Sequence, residues 1–119
     1  MGKQDWPTEW MDALTVAVLG VRQLEVVRAN AAAQFLFGLE GDEQDCFHLV
    51  GGPCFQWSDQ DKAFFEHHWE RLMNEGPEHR FRQELTGVRQ DGLTFLAELK
   101  FSLDNRGGVL VQIRDISEQ

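Results

Sequence analysis

Residues 79–103 read HRFRQELTGVRQDGLTFLAELKFSL, and this stretch decides the fold. Phe81, Gln83 and Leu85 fall on one side of an extended chain, and Arg82 and Glu84 fall on the other. The RQDGL segment that follows carries Asp91–Gly92, a pair that accepts the positive φ of a tight hairpin turn. Past the turn, Phe95, Ala97, Leu99, Phe101 and Leu103 recur at alternate positions. The pattern predicts two antiparallel strands with one buried face.

Working toward the carboxyl end, Asp104, Asn105, Gly107 and Gly108 predict another turn, and VLVQIRDI (109–116) a last strand. Val109, Val111 and Ile113 share its apolar face, with Gln112 and Arg114 opposite. Toward the amino end, Ser58 can cap a helix whose first turn holds Asp59 and Asp61, where the helix dipole favours negative charge. Phe64, Phe65, Trp69, Leu72 and Met73 form its apolar stripe, and Gly76 and Pro77 stop it.

Residues 39–57, LEGDEQDCFHLVGGPCFQW, show no sustained period, and one or two short helical turns are expected there. Before them, Asn30 is an N-cap for AAAQFLF, which Gly38 closes. TVAVLGV (15–21) and LEVVRA (24–29) read as a hairpin joined at Arg22–Gln23. DWPTEWMDAL (5–14) reads as a short amphipathic helix, with Pro7 in its first turn and Trp6, Trp10 and Leu14 on one side. The sum is an α+β domain: a five-stranded antiparallel sheet, helices packed on one face, and a short N-terminal helix over residues 1–14.

A chain of 119 residues supports one core, so residues 1–119 are read as one domain. Asp and Glu number 20 against 11 Lys and Arg, for a formal net charge of −9. With no basic run to release counterions from a phosphate backbone, nucleic acid and anionic membrane are excluded as partners at this level. The longest apolar run, ALTVAVLGV, is short of the ~20 residues a spanning helix needs. Lys3 leads into Asp5, Trp6 and Pro7 rather than into a signal sequence, so a cytoplasmic setting is expected. Cys46 and Cys54 match no zinc or redox spacing, and the acidic Asp42, Glu43 and Asp45 read as a solvated segment, so no metal site is predicted.

Three blocks carry a family resemblance. EVVRANAAAQFLFGL, GVRQDGLTFLAELKFSL and GGVLVQIRDISEQ resemble, in order, the strand-Asn-helix-Gly block, the Arg-x-Asp-Gly hairpin and the Asp-Ile-Thr terminus of the PAS family, with Ser117 in place of Thr. They span nearly the whole chain. The resemblance implies a five-stranded sheet with a helical insert, and a cytoplasmic sensor or regulatory module of a histidine kinase or cyclic-dinucleotide enzyme. It also implies homodimerisation through the N-terminal helix and, from residues 115–119, the start of a linker to an output domain in cis. The alternative within the same family is a ligand-free dimerisation or protein-interaction module.

The residues that bear on chemistry are few. Phe65, His68, Trp69, Phe81, Gln83, Phe95 and Ile113 are placed to line a space between the long helix and the sheet, and the same aromatics serve equally as a filled core. Some PAS domains take a haem ligand from this helix, and His68 is the residue on the stripe that would serve, against a hydrogen-bonded core role. The light-sensing flavin class carries its Cys in an Asn-Cys-Arg-Phe-Leu-Gln block. Here Gly and Pro precede Cys54, Arg and Leu are missing, and Ile113 stands where that class has Gln, so a flavin is disfavoured and Cys54 is read as packing. No nucleophile elbow, phosphate loop or zinc-protease motif occurs, and the domain is read as non-enzymatic.

Overall fold

A computed structural model describes residues 16–39, 47–104 and 106–117. Among them are seven strands and two helices: β1 (Ala17–Arg22), β2 (Glu25–Ala29), α1 (Ala31–Phe37), β3 (Phe47–His48), β4 (Phe55–Gln56), α2 (Asp59–Glu75), β5 (Phe81–Val88), β6 (Thr94–Leu103) and β7 (Val109–Asp115). They form one antiparallel sheet in the order β3-β2-β1-β7-β6-β5-β4. The architecture is α+β, as expected, but the sheet has seven strands and not five. The expected N-terminal helix lies outside the described residues.

The two additional strands lie in the segment read as helical turns. Phe47–His48 pairs with Glu25–Val26, and Phe55–Gln56 pairs with Thr86–Gly87. Backbone bonds from Leu49 N to Leu24 O (2.9 Å) and from Val88 N to Cys54 O (2.8 Å) tie both pieces to the outermost long strands. Free strand edges must find donors and acceptors, and this segment supplies them.

The β1–β2 hairpin turns at Gln23 and Leu24, one residue later than expected, with φ of 53° and 67°. Both central residues are left-handed, which is the turn whose twist suits a two-residue hairpin. The central hairpin pairs Phe81 with Phe101, Gln83 with Leu99 and Leu85 with Ala97, symmetrically about Asp91. Asp91 Oδ1 accepts from Leu93 N at 3.0 Å, and Gly92 takes φ 91°.

Apart from Gln83 on β5 and Asp115 at the end of β7, the inner face of β5, β6, β7 and β1 carries no polar side chain at its alternating positions, and nearly all of those residues are buried. Helix α1 packs over β1 and β2, and α2 over β5 and β6. Asn30 fixes the first of these: its Oδ1 accepts from Ala33 N (3.0 Å) and Val18 N (2.8 Å), and its Nδ2 donates to Val16 O (2.9 Å). One buried amide therefore caps α1 and clamps it to the start of β1.

Gly38 closes α1 in the left-handed region, and Leu39 N reaches back to Gln34 O at 2.8 Å. The β5–β6 turn docks on the same helix end. Gln90 N donates to Phe37 O at 2.8 Å, and the Arg89 guanidinium donates to Leu36 O and, at 3.4 Å, to Phe35 O. A cation is thereby set at the negative end of the helix dipole.

Candidate functional site

Helix α2 begins at a complete capping box. Ser58 Oγ accepts from Asp61 N and Asp61 Oδ2 accepts from Ser58 N, both at 3.0 Å. Asp61 also turns its backbone oxygen toward the sheet, where Gln83 Nε2 donates to it at 2.9 Å. Gln83 thus bridges the first turn of α2 and the inner face of β5. It is 7% exposed, and its Oε1 has no protein partner. A buried carbonyl oxygen without a donor costs about 1–3 kcal/mol, which a donor reaching this atom would offset.

The surrounding wall is aromatic. Phe65 projects from α2 with its ring centre 5.1 Å from Trp57, 5.2 Å from Trp69, 5.5 Å from Phe101 and 6.3 Å from Phe81. Phe81 and Phe101 lie face to face at 4.5 Å. Trp57 is held by its Nε1, which donates to Leu49 O at 3.0 Å. On the α1 side a second group forms, with Phe37 5.4 Å from Phe55 and 5.6 Å from Phe95.

Of the seven residues singled out from the sequence, Phe65, Trp69, Phe81 and Gln83 come together between α2 and β5. Phe95 belongs to the other group, with its ring over Gly87. Ile113 lies in the same lateral row as Gln83, since Gln83 pairs with Leu99 and Leu99 with Ile113. His68 sits half-buried at the rim rather than deep in the core. Its ring centre is 5.3 Å from Phe81 and 4.4 Å from Phe64, and its Nδ1 lies 3.2 Å from His79 Nε2. The stripe of α2 is narrower than expected: Phe65 and Leu72 are buried, while Phe64 and Met73 are exposed.

Trp57, Phe101 and His79 were missed from the sequence as members of this site. Phe101 was within reach, because the alternation of β6 puts it on the same apolar face as Phe95 and Leu99. Trp57 and His79 stand next to helix ends, in segments with no period to orient them.

Burial lowers the His68 pKa from its ordinary value, reinforced by the nearby charges of His67, His79 and Arg71. Burial pushes the Cys54 thiol up to about 12, so at neutral pH it is a protonated core side chain, in keeping with the packing role expected of it. Among the described residues no group of three His, Cys, Asp or Glu is arranged to hold a metal, and no helix is long and apolar enough to cross a membrane.

A family model described as PAS fold matches residues 12–119. No curated protein sequence matches the chain. Among solved structures, the PAS domain of an HTR-like protein from Haloarcula marismortui superposes with TM-score 0.69 at 16% identity, covering 92% of this chain and 93% of its own. A domain of a sensory box sensor histidine kinase/response regulator from Geobacter sulfurreducens gives 0.65 at 18%, with 90% and 89% covered. The PAS domain of a LuxR-family transcriptional regulator from Burkholderia thailandensis, solved in complex with ethanol, gives 0.68 at 12%, with 92% and 96% covered. At these identities the solved structures establish the shared fold, and the family match extends over nearly the whole sequence: the chain belongs to the PAS-fold family.

Proposed function

We infer that this domain is a sensory module of a larger signalling protein. A small ligand bound between α2 and the β5–β6 hairpin biases an output domain joined after residue 115. The observation that carries the reading is Gln83 Oε1, a buried acceptor without a donor beside an aromatic wall. A small molecule with an N–H or O–H group and an apolar body answers both features. The Burkholderia PAS domain in complex with ethanol is a precedent for such a ligand in this fold. A cytoplasmic kinase or cyclic-dinucleotide enzyme is the output in keeping with the histidine-kinase relative. No reaction is assigned to the domain itself.

The exit from the sheet supports a route outward. Leu96 N donates to Ser117 Oγ at 2.8 Å and Ile116 N donates to Leu96 O at 2.9 Å, so β6 holds the chain beyond β7. Leu96 follows Phe95, whose ring meets Phe37 across the core.

Native mass spectrometry of protein isolated from cells, with thermal shifts against a metabolite panel, tests the reading. A bound small molecule, or a shift abolished by Gln83→Leu, is the expected result. An empty protein unresponsive to the panel overturns it.

A second reading rests on the density of ring contacts around Phe65, which suits a filled core. On that reading the domain is a ligand-free interaction module that pairs through residues 1–14, with Trp6 and Trp10 as anchors. Sedimentation of Trp10→Glu then shows dissociation of a wild-type dimer, and a monomeric wild type excludes it.

A further inference from the structure

On the face of the sheet opposite the helices, Arg82, Lys100 and Gln112 stand in one lateral row across β5, β6 and β7. Arg80 and Ser102 flank that row, and together these residues line a cleft of about 420 Å³ over the backbone of Phe81 and Phe101. Among the described residues three cations line the cleft and no acidic residue does, in a chain of net charge −9.

Like charges directly opposite on neighbouring strands are destabilising, and Arg82 and Lys100 are such a pair. In the adjacent row Glu98 lies 3.0 Å from Arg114 and 3.9 Å from Arg82. Lys100 and Arg80 have no ion pair among the described residues. What remains is a set of converging donors: two guanidinium forks, an ammonium, a hydroxyl and a side-chain amide.

We propose that this cleft is a ligand site, separate from the ligand position proposed beside Gln83, and that it takes a compact oxyanion bearing a phosphate or a carboxylate group. Binding relieves the repulsion between Arg82 and Lys100 and supplies each guanidinium with a bidentate partner. The proposal stands whether or not the inner space takes a ligand, because no inner-facing side chain supplies a donor to the cleft.

The test is an amide-shift titration of the isotopically labelled domain with inorganic phosphate and, separately, with succinate, at ionic strength held constant with sodium chloride. Saturable shifts at Arg82, Lys100, Ser102 and Gln112 are expected with at least one probe, and the probe that saturates assigns the source as phosphate or carboxylate. Lys100→Gln weakens that binding up to about fivefold and the double variant Arg82→Gln/Lys100→Gln by about tenfold or more, while Arg71→Gln on α2 leaves it unchanged. These are surface positions, and the amide spectrum itself reports that each variant is folded. Shifts that never saturate, that sodium chloride reproduces, or that persist in the double variant overturn the proposal.

Discussion

His68 Nδ1 lies 3.2 Å from His79 Nε2, with the two ring planes only 9° apart and the ring centres 5.4 Å apart. The centres exceed the nitrogen separation by about the two ring radii, so the rings meet edge to edge in an N–H···N bond rather than face to face. This bond joins the C-terminal half of α2 to the residues leading into β5. On the far side of His79, Nδ1 faces Glu75 Oε1 at 3.7 Å, and Glu75 is in turn gripped by Arg71.

An N–H···N bond needs one neutral ring to accept, which makes the contact sensitive to pH. Burial, then the charges of His67, His79 and Arg71, lowers the His68 pKa below its unfolded value of 6.5. The unfolded chain therefore binds the proton first, so stability falls as pH drops from 6.5 toward the lowered folded value and is level below that. Melting temperature measured between about pH 5 and 8 should decline on the acid side. His68→Phe, which keeps a ring against Phe81, should flatten that decline. An unchanged pH slope in His68→Phe assigns the acid sensitivity to other groups.

Gly87 is required by the ring of Phe95. A Cβ built at Gly87 falls 2.4 Å from Phe95 Cζ, and the ring is wedged against Phe37. Gly87→Ala should cost about 1–3 kcal/mol in urea unfolding, as overpacked cores do. Phe95→Leu alone should also destabilise, and the double variant should lose less than the sum of the two, because each change relieves the other. Strict additivity would contradict the contact.

Arg89 joins two parts of the chain that are remote in sequence. Its guanidinium donates to Phe35 and Leu36 carbonyls at the end of α1, and Gln90 N donates to Phe37 O. Arg89→Ala should destabilise by about 1 kcal/mol and speed amide hydrogen exchange in α1. Arg89→Lys should not restore protection, since a point ammonium cannot present the planar fork to two carbonyls. Full rescue by Lys would reduce the interaction to charge alone.

Those contacts also show where the fold was legible. Asp91–Gly92 marked the turn of the hairpin, and the alternation on either side marked the inward faces of β5 and β6; the pairing of Phe81 with Phe101 and Gln83 with Leu99 was not legible, because the turn pair leaves the register open by one residue. Asn30 and Gly38 marked both ends of α1, although the second job of Asn30, clamping β1, carried no sequence signal. β3 and β4 were illegible because two residues have no period; they exist through the edges of β2 and β5. The turn at Gln23–Leu24 was misplaced by one residue because neither is Gly, Asn or Asp, the usual residues of left-handed turns. On α2, apolar residues at Phe64, Phe65, Trp69, Leu72 and Met73 were compatible with two headings of the helix. The sheet selected the one that buries Phe65 and Leu72 and moves His68 to the rim. His79 follows a Gly-Pro stop, so nothing local tied it to His68.

Ser117 provides the most direct test of how the sheet holds its exit. Its Oγ accepts from Leu96 N at 2.8 Å while its own N donates to Asp115 Oδ1 at 2.9 Å. The Asp-Ile-Ser run thus extends the β6–β7 pairing past the last strand, with a side chain doing the work of a backbone acceptor. Ser117→Ala removes the acceptor, so Leu96 N–H should lose exchange protection by about tenfold, for roughly 1 kcal/mol of local stability. Amides of Lys100 and Phe101, deeper in the ladder, should keep theirs. Ser117→Thr, which retains the hydroxyl, should behave as wild type. If Leu96 stays protected in Ser117→Ala, the bond from Ile116 N to Leu96 O is sufficient to hold the exit, and the hydroxyl is dispensable.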